Sequence, residues 1–144
     1  MDREVLGYEG KATMALKLNL GCWHTWRDDA VNVDDRLDPS WSGRRGWFVK
    51  DRMTTLEDLF HCDSVDEMWA NDVLSGRSYP EVARMLASWF QILKPGAPLN
   101  VLFDARISLA FLVGLLRELG YTVKKVDSEG RRWMTVEAAK DGIH

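Results

Sequence analysis

A chain of 144 residues, 46% hydrophobic and 28% charged, is sized and composed for one globular domain with a sizeable core. A net charge of −3 with no long basic run gives no basis for bulk attraction to nucleic acid, and two cysteines are too few for a disulfide framework. The opening MDREVLGYEGKATM has neither a basic leader nor an apolar core, and no apolar run approaches the ~18 residues a membrane span needs, so a cytoplasmic protein is expected.

In chain order, residues 1–13 are expected to form a loosely ordered segment. The first strand signal is ALKLNL (15–20), which enters a turn at Gly21. AVNV (30–33) is the second, after only HTWRDD, too few residues for a full helix. RLDPSWSGRRG (36–46) is a polar loop, and WFVK (47–50) a weaker strand candidate. TTLEDLF (54–60) is long enough only for a short helix, and SVDEMWA (64–70) reads as the next strand.

Ser78 followed by Glu81 matches a capping box, with Pro80 tolerable in the opening turn; Val82, Met85, Leu86, Trp89 and Leu93 then share one apolar face until KPG (94–96) ends the helix. PLNVLFDA (98–105) is a strand. A second helix, with Asp104 as a candidate cap, runs through ISLAFLVGLLREL to Gly120; being apolar on nearly every side, it is expected to be well buried. YTVKKV (121–126) and RWMTVEAA (132–139), joined by DSEGR, form a hairpin, so an antiparallel strand should end an otherwise parallel sheet with helices on its faces.

Together KLNLGC (17–22), NVDD (32–35), SVDEMWANDVL (64–74), ILKPG (92–96) and NVLFDA (100–105) resemble, in order and spacing, the small class I S-adenosylmethionine-dependent methyltransferases over roughly residues 15–139. The resemblance implies a minimal core of Rossmann-like α/β type: doubly wound, with a mostly parallel seven-stranded sheet and an antiparallel C-terminal strand. It also implies S-adenosylmethionine as cofactor. Gly21, Cys22 and Trp23 would lie against the cofactor's methionine and ribose parts, Asp34 would accept from the ribose hydroxyls, and Asp35 and Asp51 would flank the adenine. Asn71 and Asp72 would line the same cleft at the carboxyl ends of the strands. No catalytic residue carries over, because methyl transfer rests mainly on positioning an already activated electrophile.

The chain departs from these relatives where Trp23 and His24 follow Gly21 and Cys22 in place of small residues, and where DVLSG (72–76) replaces the more usual HVLEH. Two readings therefore stand: a methyltransferase acting on an unidentified acceptor, and a non-catalytic methyltransferase-like binding or regulatory module. His24 is either a base or a surface histidine; Trp23 and Trp26 either stack on a ligand or fill the core. Cys22, His24, His61 and Cys62 have spacings that fit no structural zinc motif, and no metal is expected. Arg44 and Arg45 between Trp41 and Trp47 suit either a solvated loop or a local phosphate or base site. Seven tryptophans leave a homo-oligomer open.

Overall fold

The computed structural model describes residues 15–22, 25–36 and 46–141. Readings that fall on residues 1–13, Trp23, His24, Trp41, Arg44 and Arg45 lie outside them. The elements are β1 (Lys17–Leu20), β2 (Val31–Asp34), β3 (Trp47–Lys50), a 3-10 turn (Leu56–Asp58), β4 (Glu67–Asn71), α1 (Tyr79–Ile92), β5 (Pro98–Asp104), α2 (Leu109–Leu119), β6 (Tyr121–Glu129) and β7 (Trp133–Lys140).

The strands form one seven-stranded sheet in the order β3-β2-β1-β4-β5-β7-β6. All pairs are parallel except those of β7, which runs antiparallel to both β5 and β6. From β1 the chain winds outward to β3, then returns to β4 on the other side of β1 and winds the opposite way. This is the expected doubly wound order, with its switch point between β1 and β4.

The core occupies one face of the sheet. Leu18, Val31, Met68, Leu99 and Ala138 lie in one cross-strand row, Leu20, Val33, Ala70, Val101 and Val136 in the next, and all pack into one cluster with Met85, Leu86, Trp89, Leu112 and Leu116 of the two helices. α1 begins with the expected capping box: Ser78 Oγ accepts from Glu81 N, and the Glu81 carboxylate accepts from Ser78 N. Such a cap contributes about 1 kcal/mol.

α2 differs from expectation in two ways. Its cap is Ser108, whose Oγ accepts from Phe111 N, because the helix starts only at Leu109; Asp104 still belongs to β5, and its carboxylate is engaged with two arginines. It is also only half covered: Leu112 and Leu116 are buried, whereas Leu109, Phe111, Leu115 and Leu119 are partly exposed, since α2 packs at the edge of the layer, against β6. Gly120 closes it in the left-handed region (φ 107°), as expected.

Among the described residues no helix covers the opposite face, and none is long and apolar enough to cross a membrane. The segment 25–30 takes the place of the β1–β2 crossover helix. With no helical ladder, its polar backbone is satisfied in part by backbone bonds, Thr25 N donating to Cys22 O and Ala30 O accepting from Trp47 N, and in part by side chains from the sheet. Asn19 Nδ2 donates to Thr25 O (2.5 Å) and to Asn32 Oδ1 (2.8 Å); Asn32 accepts from Arg27 N (3.0 Å) and donates to Arg27 O (2.9 Å). Asn71 completes the row, donating to Asn19 Oδ1 (2.8 Å) and Leu20 O (2.9 Å). Both Asn19 and Asn32 are fully buried. Beside this row the Arg27 guanidinium lies 3.6 Å from the centre of the Trp69 ring, and Trp26 stacks on Phe48. Trp26 thus packs against the sheet.

Candidate cofactor cleft

The carboxyl ends of the parallel strands open into a cleft of about 990 Å³. Three strand ends bring the expected residues to it. β1 ends at Gly21, which takes φ 71° and donates its N–H to Val33 O (2.8 Å), turning the chain away from the sheet. A side chain here would collide with the protein itself: a Cβ would stand 2.5 Å from Val73 Cγ1 and 2.8 Å from Asn71 O. Glycine at this position is thus required by the packing of the β1 turn on the β4 end, as well as by its backbone conformation.

β2 ends at Asp34, whose residue is only 5% exposed although its carboxylate lines the cleft. Its one hydrogen-bond donor among the described residues is Arg36 N, at 3.3 Å, with Arg36 Nε at 4.0 Å. Burial, and then the neighbouring Asp35, push its pKa above the ordinary aspartate range, against the lowering pull of Arg36. Asp34 therefore has acceptor capacity to spare, and so does the cleft, since Asp35 lies beside it.

β4 ends at Asn71 and Asp72. The Asn71 amide donors are both spent on β1, so this residue braces the cleft wall rather than offering donors to a ligand. Asp72 adopts a left-handed conformation (φ 56°) and its carboxylate accepts from Ser75 Oγ. An Asp tolerates that backbone better than most residues.

The remaining two described site residues stand elsewhere. Cys22 is buried and does not belong to the cleft lining. Asp51 is not in the lining either: its Oδ1 accepts from Met53 N (2.8 Å), and its N donates to Asp34 O. What it builds is a turn that puts Met53, at φ 68°, into the cleft wall. α1 locks this turn, since Trp89 Nε1 donates to Met53 O (2.9 Å) and Ser88 Oγ accepts from Leu56 N. Trp23 lies outside the described residues.

Sequence reasoning missed the far end of the cleft, formed by Leu102, Arg132 and Trp133, with Arg77 and Glu81 beside them. Behind it Asp104, 3% exposed, accepts from Arg106 N (2.9 Å), Arg106 Nε and Nη2 (both 3.2 Å) and Arg132 Nε (3.1 Å). The Arg106 backbone and side-chain bonds, with help from Arg132, hold its pKa down to about 2. The signal in the sequence was the antiparallel hairpin: reversing β7 puts its first residues, not its last, at the cleft.

No family model matches the sequence, and no curated protein does. Solved structures do match. A 1,6-didemethyltoxoflavin-N1-methyltransferase of Burkholderia thailandensis, with S-adenosylhomocysteine bound, superposes with a TM-score of 0.73 at 16% identity, over 96% of this chain and 76% of its own. The fold is that of the class I methyltransferases. A SAM-dependent methyltransferase of Archaeoglobus fulgidus (TM-score 0.71, 13% identity, 96% and 92% covered) has the same class I fold. So does the magnesium protoporphyrin IX methyltransferase of Synechocystis PCC 6803, solved with bound SAM (0.69, 13%, 97% and 78%). The present chain carries this class I methyltransferase core with its first crossover reduced to the asparagine-braced segment 25–30.

Proposed function

We propose that the protein binds S-adenosylmethionine across the ends of β1, β2 and β4 and transfers its methyl group to an acceptor at the far end of the cleft. The observation that carries this reading is Asp34, an almost buried carboxylate on a ligand-sized cleft with a single described hydrogen-bond donor. A buried carboxylate left so poorly paired is costly unless a ligand completes its shell. A pair of vicinal ribose hydroxyls supplies two donors to one carboxylate, and the position, at the end of the strand next to the glycine turn, is where open α/β sheets bind a ribose. Met53 offers an apolar contact for the adenine on the adjoining wall.

When bound, the cofactor supplies a methyl group already activated by the sulfonium charge. The chain's own contribution is position: Asp34 fixes the ribose end, the rigid Gly21–Asn71 junction sets the floor, and the acceptor is presented from the β5–β7 side.

Calorimetric titration with S-adenosylmethionine and S-adenosylhomocysteine, with melting followed in parallel, tests the reading. Ligand at 100 times its dissociation constant adds about 2.7 kcal/mol of stability. Loss of two hydrogen bonds to a charged acceptor in Asp34→Ala is worth about 3–6 kcal/mol, so affinity should fall by roughly 100-fold or more. No heat and no melting shift at millimolar ligand would refute the proposal; binding without turnover on any acceptor would favour the non-catalytic module.

A further inference from the structure

Resting on that reading, the far end of the cleft defines the kind of acceptor. There Arg106 and Arg132 share one carboxylate, that of Asp104, and the Asp72 carboxylate also acts on Arg106. Asp72 accepts from the neutral Ser75 hydroxyl and keeps its charge, while Glu81 is paired with Ser78 and Arg77. Arg77 is likewise occupied, with Nε donating to Val73 O (2.8 Å) and Nη1 3.7 Å from Glu81.

Arg132 is different. Asp104 holds it through Nε alone, and its Nη groups, on a side chain 67% exposed, have no partner among the described residues. Its guanidinium lies 4.9 Å from the centre of the Trp133 ring, and its backbone is pinned to the end of β5 by Ala105 N donating to Arg132 O (2.6 Å). A guanidinium fixed at one nitrogen and steadied by a ring presents its remaining N–H groups in a defined plane, suited to a carboxylate. Leu102 and Trp133, both half-buried, give apolar surface beside it.

We infer that the acceptor is a small planar acid, its anionic group held by Arg132 and its body lying against Leu102 and Trp133.

Benzoate and its neutral analogue benzamide serve as probes, titrated by nitrogen-15 NMR with the Trp133 indole signal identified through Trp133→Phe. Titrations are run with and without saturating S-adenosylhomocysteine. Benzoate should shift that signal and bind at least tenfold more tightly than benzamide, and Arg132→Gln should abolish the preference while leaving S-adenosylhomocysteine affinity unchanged. Equal binding of the two probes, no binding of either, or a preference that survives in Arg132→Gln overturns the inference whether or not S-adenosylhomocysteine binds. A benzoate preference in a protein that binds no S-adenosylhomocysteine would keep the anion site and remove the methyl-transfer reading beneath it. Because the Arg132 side chain is largely exposed, the variant is expected to fold, which its dispersed amide spectrum would show.

Discussion

Replacing Gly21 by alanine separates what this turn does for the protein from what it does for a ligand. At φ 71° a non-glycine residue pays about 1–2 kcal/mol for the left-handed conformation. The added Cβ also meets Val73 Cγ1 at 2.5 Å and Asn71 O at 2.8 Å. Val73, 8% exposed, can turn only within packed surroundings, and the carbonyl belongs to β4, so overpacking adds about 1–3 kcal/mol. The expected total is about 2–5 kcal/mol. In urea denaturation, with a slope of about 1.5 kcal/mol/M for a chain of this size, the midpoint should fall by about 1–3 M with the slope unchanged. Adding Val73→Ala should recover part of that loss and no more, because the Asn71 carbonyl remains in place. A Gly21→Ala protein within 0.5 kcal/mol of wild type would refute the packing account and return the glycine to a purely ligand-facing role.

Two further outcomes follow from the buried polar groups. Asn32→Ala should cost about 3–5 kcal/mol in the same denaturation assay, since it strips partners from Arg27 N, Arg27 O and Asn19; a loss under 1 kcal/mol would mean that water replaces the side chain. S-adenosylhomocysteine should bind more weakly as pH falls through the raised pKa of Asp34: the bound form needs the carboxylate ionised, while burial and Asp35 favour the proton in the free protein. The same shift makes this group's effect on unliganded stability run the other way, declining as pH rises through that range. Affinity measured by calorimetry should lose its acid limb in Asp34→Asn, and an unchanged limb there would assign the titration to another group.

The fold was readable because its signals are local and repeat. Each strand carries its own apolar alternation, the Ser78–Glu81 cap is written in four residues, and DSEGR announces the one reversal of direction. Much of the cleft lining was readable for the same reason, since Gly21, Asp34, Asn71 and Asp72 stand at strand ends and a strand end is where the chain meets the cleft. Asp51 shows where such reading stops. It too ends a strand, but its side chain is captured by Met53 N two residues on, and only the φ of 68° at Met53 turns the wall-forming side chain toward the cleft. The asparagines were equally opaque one strand at a time. Asn19 and Asn32 interrupt apolar strands, and they make sense only once the register sets them side by side beneath a crossover that has no helix to satisfy its own backbone.

The far end of the cleft needed one more step, from direction to place. Parallel strands deliver their last residues to the ligand edge, so a search confined to strand ends finds Asp104 and overlooks Arg132 and Trp133, which open β7. Once β7 is known to run backwards between β5 and β6, its register opposite Asp104 puts Trp133 at that edge and Arg132 just beyond it. The antiparallel strand therefore does more than finish the sheet. It is the one strand that can bring residues from its beginning to the cleft, and here those residues supply the cation and the ring that a conventional parallel strand end left to Asp104 could not.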